Sequence, residues 1–95
     1  MFKINDTDDA LIIDLPDKID NQVSMDMEQS IVESVNNTDK PVVFNFDGNT
    51  FICSHFLKVL LKSYNAVGKE RFSMDNLSPE IRRVFKIAGF DNILK

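Results

Sequence analysis

The chain has 95 residues, of which 43% are hydrophobic and 27% are charged, a composition typical of one small globular domain. No apolar run reaches the roughly 18 residues of a membrane-spanning helix, and the opening "MFKINDTDDA" is too polar for a signal peptide. One cysteine and one histidine exclude an internal disulfide and a zinc site.

The charge is distributed unevenly along the chain. Residues 1–50 contain eleven acidic and three basic residues, a net charge of −8, whereas residues 51–95 contain four acidic and eight basic residues, a net charge of +4. The acidic half argues against general nucleic-acid binding. The asymmetry fits either a protein partner with complementary patches or simply an uneven solvated surface. We expect a cytoplasmic protein with a single domain over residues 1–95, no direct membrane insertion, no metal and no other cofactor.

The first residues of the chain predict a β-hairpin. Two runs of strand type, "FKIND" and "ALIIDL", are separated by the turn sequence "TDD". Pro16 and Asp17 are expected to end the second strand.

The next segment, residues 21–35, predicts an amphipathic helix. Apolar residues recur every four positions and form one stripe, which consists of Val23, Met27, Ile31 and Val35, with Val32 beside them. Asp20 or Asn21 can cap the start of this helix. Its outer side carries the acidic residues Asp26, Glu28 and Glu33.

A buried strand and a second helix are predicted after the loop that follows. "VVFNF" is β-branched and aromatic, "DGNT" has turn chemistry, and "SHFLKVLLKSYNAVG" has helical periodicity. The expected buried stripe of this helix consists of Leu57, Leu60, Leu61 and Tyr64. Ser54 is the expected N-cap and Gly68 the expected C-terminal stop.

The last part of the chain predicts a strand, a helix and a closing segment. "ERFSMDNL" alternates Phe72 and Met74 on one side, as a strand does. In "SPEIRRVFKIAG", Ser78 is a capping residue, Pro79 suits the first helical position and Glu80 faces the positive end of the helix dipole. The expected buried stripe consists of Ile81, Val84, Phe85 and Ala88, with Gly89 after it. "FDNIL" is then expected to pack back onto the domain.

Together these elements predict an α/β fold. Strands that alternate with helices favour a four- to five-stranded mixed sheet, mostly parallel, with right-handed crossovers and about three helices packed on it.

Several stretches of the chain resemble STAS domains, the fold of bacterial anti-sigma factor antagonists. The resemblance covers residues 5–94, and its most specific part is the closing segment "LSPEIRRVFKIAGFDNIL". The other stretches are "IIDLPDKIDNQ", "VVFNFDGNTFICS" and "HFLKVLLKSYNAVGK". The resemblance implies the STAS fold and a loop, carrying Asp20, that lies beside a phosphorylation switch.

The family's switch segment usually reads Asp-Ser-Ser-Gly-Leu-Gly-Val-Leu, and its second Ser, or a Thr, is phosphorylated by a partner kinase. Here the segment is Cys53, Ser54, His55, Phe56, Leu57, Lys58, Val59 and Leu60. The resemblance therefore implies a modified switch, because His55 replaces the usual phospho-acceptor. A Ser/Thr kinase cannot phosphorylate this position. The bulky Phe56 and Lys58 replace glycines that let a partner backbone approach closely.

The roles of the residues in this segment stay open on the sequence alone. His55 is a plain first-turn residue, a contact for a divergent partner, or a phosphohistidine or general base, although no carboxylate partner is evident from the sequence. Ser54 is a plain cap or a shifted phospho-acceptor. Cys53 is a small buried residue or a redox sensor. Phe56 is a solvent-facing partner anchor or folds back onto the core, and the anchor is the interpretation we adopt here.

The predicted function is that of a non-catalytic regulatory protein-interaction module of the anti-sigma factor antagonist type. Its expected partner-binding surface consists of Asp20, Asn21, Ser54, His55, Phe56 and Lys58. The expected partner is a histidine-kinase-like ATPase that acts as anti-sigma factor or switch kinase. The alternative is an accessory subunit that binds and stabilises the ATPase of an ABC transporter. A nucleotide or small-anion binder is a third hypothesis.

Overall fold

Three helices and six strands make up the described part of the chain, residues 2–90 and Ile93 of a computed structural model. In chain order the elements are β1 (Lys3–Asp6), β2 (Leu11–Asp14), β3 (Lys18–Ile19), α1 (Asn21–Asn36), β4 (Val42–Asn45), β5 (Phe51–Ile52), α2 (Ser54–Val67), β6 (Phe72–Asp75) and α3 (Pro79–Ile87).

The main sheet has four strands in the order β1-β2-β4-β6. β1 and β2 form an antiparallel hairpin, whereas β2 pairs with β4 and β4 with β6 in parallel. The predicted hairpin and the mixed, mostly parallel sheet with three helices are therefore confirmed.

The core lies on one face of this sheet. Along β2 and β4 buried and half-buried side chains alternate, because successive residues of a strand point to opposite faces. On the buried face lie Leu11, Ile13, Val42 and Phe44, each at most 3% exposed. Helix α1 adds Met27, Ile31 and Val35 to the same core, as its four-residue periodicity predicts.

A second, two-stranded sheet was not predicted as such. β3 and β5 pair in parallel, with Lys18 opposite Phe51 and Ile19 opposite Ile52. The side chain of Asn49 stabilises this pairing, since its Nδ2 lies 2.8 Å from the carbonyl oxygen of Pro16 and 3.3 Å from that of Phe51. Each of these strands has only two residues, which is too short to give a sequence signal.

Helix α3 follows its sequence signals closely at its start. The Ser78 hydroxyl accepts a hydrogen bond from the Ile81 backbone nitrogen at 3.1 Å, and Pro79 occupies the first turn. Ile81 and Phe85 are buried, but Ala88 is exposed, so its place in the predicted stripe is wrong. The helix ends at Ile87, one residue before Ala88, and the stripe ends with it.

The closing segment packs back at Phe90 and Ile93. Phe90 is half-buried, and Ile93 is buried at 3% exposure. The other residues of the predicted "FDNIL" segment lie outside the described residues.

Candidate functional site

The starts of α1 and α2 lie side by side. Because β3 and β5 run parallel and pair Ile19 with Ile52, the residues that follow them, Asp20 and Cys53, leave the small sheet next to each other. Each of these strands leads directly into a helix, and the two helices pack together. We call the surface formed by Asp20, Asn21, Ser54, His55 and Lys58 the helix-start surface.

Asp20 is the N-cap of α1. Its Oδ1 accepts a hydrogen bond from the Val23 backbone nitrogen at 2.9 Å, in the extended backbone conformation that a cap requires. Asn21 is the first residue of the helix, and both side chains are exposed. Of the two predicted capping residues, Asp20 is therefore the one that caps.

The start of α2 differs from the prediction. Cys53, not Ser54, is the N-cap, and its side chain makes no capping hydrogen bond. Ser54 is the first helical residue, and its side chain is exposed. The prediction of Ser54 as N-cap is wrong, so its hydroxyl is available for another role. Cys53 is half-buried and packs against the core.

Phe56 does not belong to this surface. It is 0% exposed, so the expectation that it faces solvent as a partner anchor is wrong. It begins a second apolar series with helical spacing, and the buried residues of α2 are Phe56, Leu57, Val59, Leu60, Ser63 and Val67. The predicted stripe began at Leu57 and included Leu61 and Tyr64, which are only half-buried. Apolar residues follow Phe56 at i+3, i+4 and i+11, namely Val59, Leu60 and Val67, and this spacing was the signal that could have placed it in the core.

His55 has a carboxylate partner that the sequence did not reveal. Its Nε2 lies 2.8 Å from Oε1 of Glu28, and the other oxygen of this carboxylate accepts a hydrogen bond from Nζ of Lys62 at 2.7 Å. His55 and Lys62 are seven residues apart, so they lie on one side of α2 and face Glu28 on α1. Glu28 thereby joins the two helices close to the helix-start surface.

The electrostatics of this cluster favour an ionised Glu28. Hydrogen bonds from the Lys62 ammonium and the His55 imidazole lower the pKa of this carboxyl below its ordinary value, and the contribution of Lys62 is the larger. An ionised carboxylate only accepts hydrogen bonds, so the Nε2 of His55 carries the shared hydrogen. The imidazole, 34% exposed, is thus held in one orientation with Nδ1 as its other ring nitrogen.

One exposed apolar residue beside the helix-start surface was also missed. Met25 is 58% exposed, although most large apolar side chains of the domain are buried. Asn21, Met25 and Glu28 follow one side of α1 at positions i, i+4 and i+7, and Glu28 contacts α2. Met25 therefore lies one turn from the Glu28–His55 pair. Its position outside the apolar stripe of Val23, Met27, Ile31 and Val35 was the signal that could have found it.

The arrangement offers exposed polar groups for binding. Lys58 and Ser54 are exposed one helical turn apart, and the imidazole beside them is held by its hydrogen bond to Glu28. Within residues 2–90 and Ile93, no three His, Cys, Asp or Glu side chains are grouped so as to hold a metal ion. In the same part of the chain, no helix is both long and apolar enough to cross a membrane.

Comparisons with known proteins agree on one family. The family model for the STAS domain matches residues 1–95. An anti-sigma-factor antagonist (STAS) domain protein from Planctomyces limnophilus superposes with a TM-score of 0.83 at 15% identity, over 98% of this chain and 85% of that one. An anti-sigma factor antagonist from Mycobacterium paratuberculosis superposes with a TM-score of 0.82 at 25% identity, over 99% of this chain and 81% of that one.

The Bacillus cell fate determinant SpoIIAA in its phosphorylated form is a more distant structural neighbour. It superposes with a TM-score of 0.73 at 18% identity, over 100% of this chain and 89% of that one. No curated protein matches the chain.

Proposed function

Because this chain belongs to the STAS domain family, we propose that it is a regulatory module of the anti-sigma factor antagonist type that binds a protein partner through its helix-start surface. The family is generally non-catalytic, and structural neighbours are anti-sigma factor antagonists. The partner in this proposal is a histidine-kinase-like ATPase that acts as anti-sigma factor or switch kinase.

The observation that carries the proposal is the composition of the surface at the paired helix starts. Lys58 and Ser54 are exposed on α2, Asn21 is exposed on α1, and Met25 offers apolar area beside them. An exposed apolar side chain with polar and charged neighbours is the usual make-up of a protein-binding patch. Met25 takes the anchoring role that Phe56 cannot have, since Phe56 is buried.

Glu28 gives this surface a defined shape. By binding His55 and Lys62 across the two helices, it limits the freedom of the imidazole before any partner arrives. A side chain that is already ordered loses less conformational entropy on binding, which favours affinity. In this proposal His55 is a partner contact held in place by Glu28.

Ser54 is the candidate phospho-acceptor of the surface. Its exposed side chain lies at the first position of α2, where the Cys53 cap leaves the helix start without a side-chain capping bond. A phosphate there would add about −1.5 to −2 charge at the positive end of the helix dipole, one turn from the Lys58 ammonium. The helix would tolerate that charge, while a partner surface that packs closely against Ser54 would not. SpoIIAA, a structural neighbour, has structures in phosphorylated and unphosphorylated forms.

The test begins with recovery of the partner. The tagged protein is used to isolate binding proteins from its native cells, and we expect a histidine-kinase-like ATPase to be identified by mass spectrometry. Met25→Asp and Lys58→Glu should each abolish the capture without lowering the thermal midpoint of the domain. Lys69→Glu, an equal charge change near the opposite end of α2, is the matched control and should retain the partner. Recovery of an ABC ATPase would instead support the accessory-subunit alternative, and capture that both surface variants retain would refute this binding surface.

The phosphorylation step is tested separately. The purified protein is incubated with the recovered kinase and ATP, and its intact mass is measured. We expect the addition of one phosphate that is absent in Ser54→Ala. A phosphate that persists in Ser54→Ala, or an unchanged mass of the wild-type chain, would exclude Ser54 as the switch.

A further inference from the structure

A cavity of about 480 Å³ lies on the side of α1 away from Glu28. It is a half-open cleft lined by the first two turns of α1, the corner between β2 and β3, and the segment that leads into β1. Its apolar lining consists of Phe2, Pro16, Val23 and Met27. Its size is that of a site for a bound group, and it is ample for one large aliphatic side chain.

The rim of this cavity carries an excess of negative charge. Asp17 and Asp26 line it together with a single cation, Lys18. Each carboxylate is held by a neutral donor, because Oγ1 of Thr50 lies 2.7 Å from Oδ1 of Asp17 and Nε2 of Gln22 lies 2.9 Å from Oδ1 of Asp26. Within residues 2–90 and Ile93, neither carboxylate forms a salt bridge. The cavity thus combines an apolar interior with two fixed carboxylates that lack a cationic partner.

The opposite combination occurs on α3 of the same chain. Ile87 is 79% exposed, the highest exposure among the large hydrophobic residues of the described part. Arg83 and Lys86 lie four and one positions before it, both are exposed, and Arg83 shares its side of the helix. Across the described residues, neither cation takes part in a salt bridge. The exposed end of α3 therefore presents a large aliphatic side chain with two cations near it.

We propose that two copies of this chain associate through these surfaces, with Ile87 of one copy entering the α1 cavity of the next. Arg83 and Lys86 of the first copy then meet Asp17 and Asp26 of the second. The cavity rim belongs to residues 1–50, whose net charge is −8, and α3 belongs to residues 51–95, whose net charge is +4.

This contact joins two different surfaces, so it is heterologous. A heterologous contact produces rings when its rotation closes and open chains when it does not. With one aliphatic anchor and two exposed ion pairs, the association is weak and sensitive to salt. The α1 cavity lies on the side of α1 away from Glu28, so Ser54, His55 and Lys58 on α2 are outside its lining.

A charge exchange between the two surfaces tests the proposal. One variant, Asp17→Asn with Asp26→Lys, makes the cavity rim basic while keeping an oxygen that can accept the Thr50 hydrogen bond. The other, Arg83→Glu with Lys86→Glu, makes α3 acidic. Each variant alone repels its own copies, whereas an equimolar mixture restores opposite charges at every contact.

The measurement is sedimentation velocity from ~10 μM to ~1 mM, the range of weak association. We expect the wild-type sedimentation coefficient to rise with concentration, and both variants alone, as well as Ile87→Ser, to remain monomeric. The equimolar mixture should regain the rise. Arg82→Glu, an equal charge change per residue at a neighbouring exposed position, is the control and should associate like the wild type. Circular dichroism first shows that each variant is folded.

A wild-type chain that stays monomeric at every concentration would overturn the proposal. So would association that the folded Ile87→Ser variant retains, or a mixture that fails to recover while the wild type associates. Each of these outcomes leaves the proposed partner binding at the helix-start surface untouched, because that binding is measured with different variants and a different assay.

Discussion

Phe56→Ala separates a core residue from a partner anchor. Phe56 is 0% exposed and packs in the same cluster as Val59 and Leu60, so its removal leaves a cavity beneath α2. Truncation of a buried phenylalanine to alanine costs about 3–5 kcal/mol. That is a large part of the roughly 5–15 kcal/mol that stabilises a domain of this size. The corresponding fall in the thermal midpoint is roughly 12 °C or more.

The chain offers a control with the same chemical change. Phe51→Ala removes an identical side chain from a position that is 50% exposed, so we expect a clearly smaller loss, below about 2 kcal/mol. Urea denaturation measures both free energies of unfolding, and equal slopes would show that the unfolded states are comparable. A Phe56→Ala variant that unfolds at the wild-type urea concentration, yet no longer binds the partner, would refute the core assignment and restore Phe56 as an anchor.

Three further substitutions test individual interactions. Asp20→Ala removes the α1 cap and should lower the free energy of unfolding, measured by urea denaturation, by ~1 kcal/mol. A loss near zero would mean that the Val23 nitrogen finds another acceptor. Glu28→Gln should lower the free energy of unfolding near neutral pH. The difference in this free energy between the variant and the wild type should shrink as the pH falls through the lowered pKa of Glu28, because a carboxyl with a depressed pKa stabilises the fold only while it is ionised. A difference in urea melts that does not depend on pH would contradict this. Asn49→Ala should lower the free energy of unfolding by about 1–3 kcal/mol, because it leaves the carbonyl of Pro16 without its donor. Amide hydrogen exchange should increase in β3 and β5 before it does in the main sheet.

Much of the fold follows from local patterns. The four-residue spacing of apolar residues in α1, the Ser78-Pro79 start of α3 and the turn between β1 and β2 each depend on residues that are neighbours in the chain. Such signals act within one element, so they can be recognised without knowledge of its surroundings. The mostly parallel character of the sheet needed only the further rule that parallel strands require crossover connections.

The small sheet of β3 and β5 shows where local patterns end. Each strand has two residues, which is too short for any periodicity, and the pairing depends on Asn49 bonding the backbone of Pro16 at a distance of 33 residues in sequence. This pairing nevertheless decides the site, because it brings the starts of α1 and α2 together.

The sequence by itself determined the fold class, the two candidate caps of α1 and the segment in which the candidate site lies. The tertiary structure alone decided which side of α2 faces inward. Two overlapping apolar series, from Phe56 and from Leu57, fit the same helical period, and only packing against the sheet and α1 selects the rotation that buries Phe56. That rotation also turns His55 towards Glu28, 27 residues away in the chain. A contact between side chains of two helices depends on their relative position, which no property of either helix alone specifies.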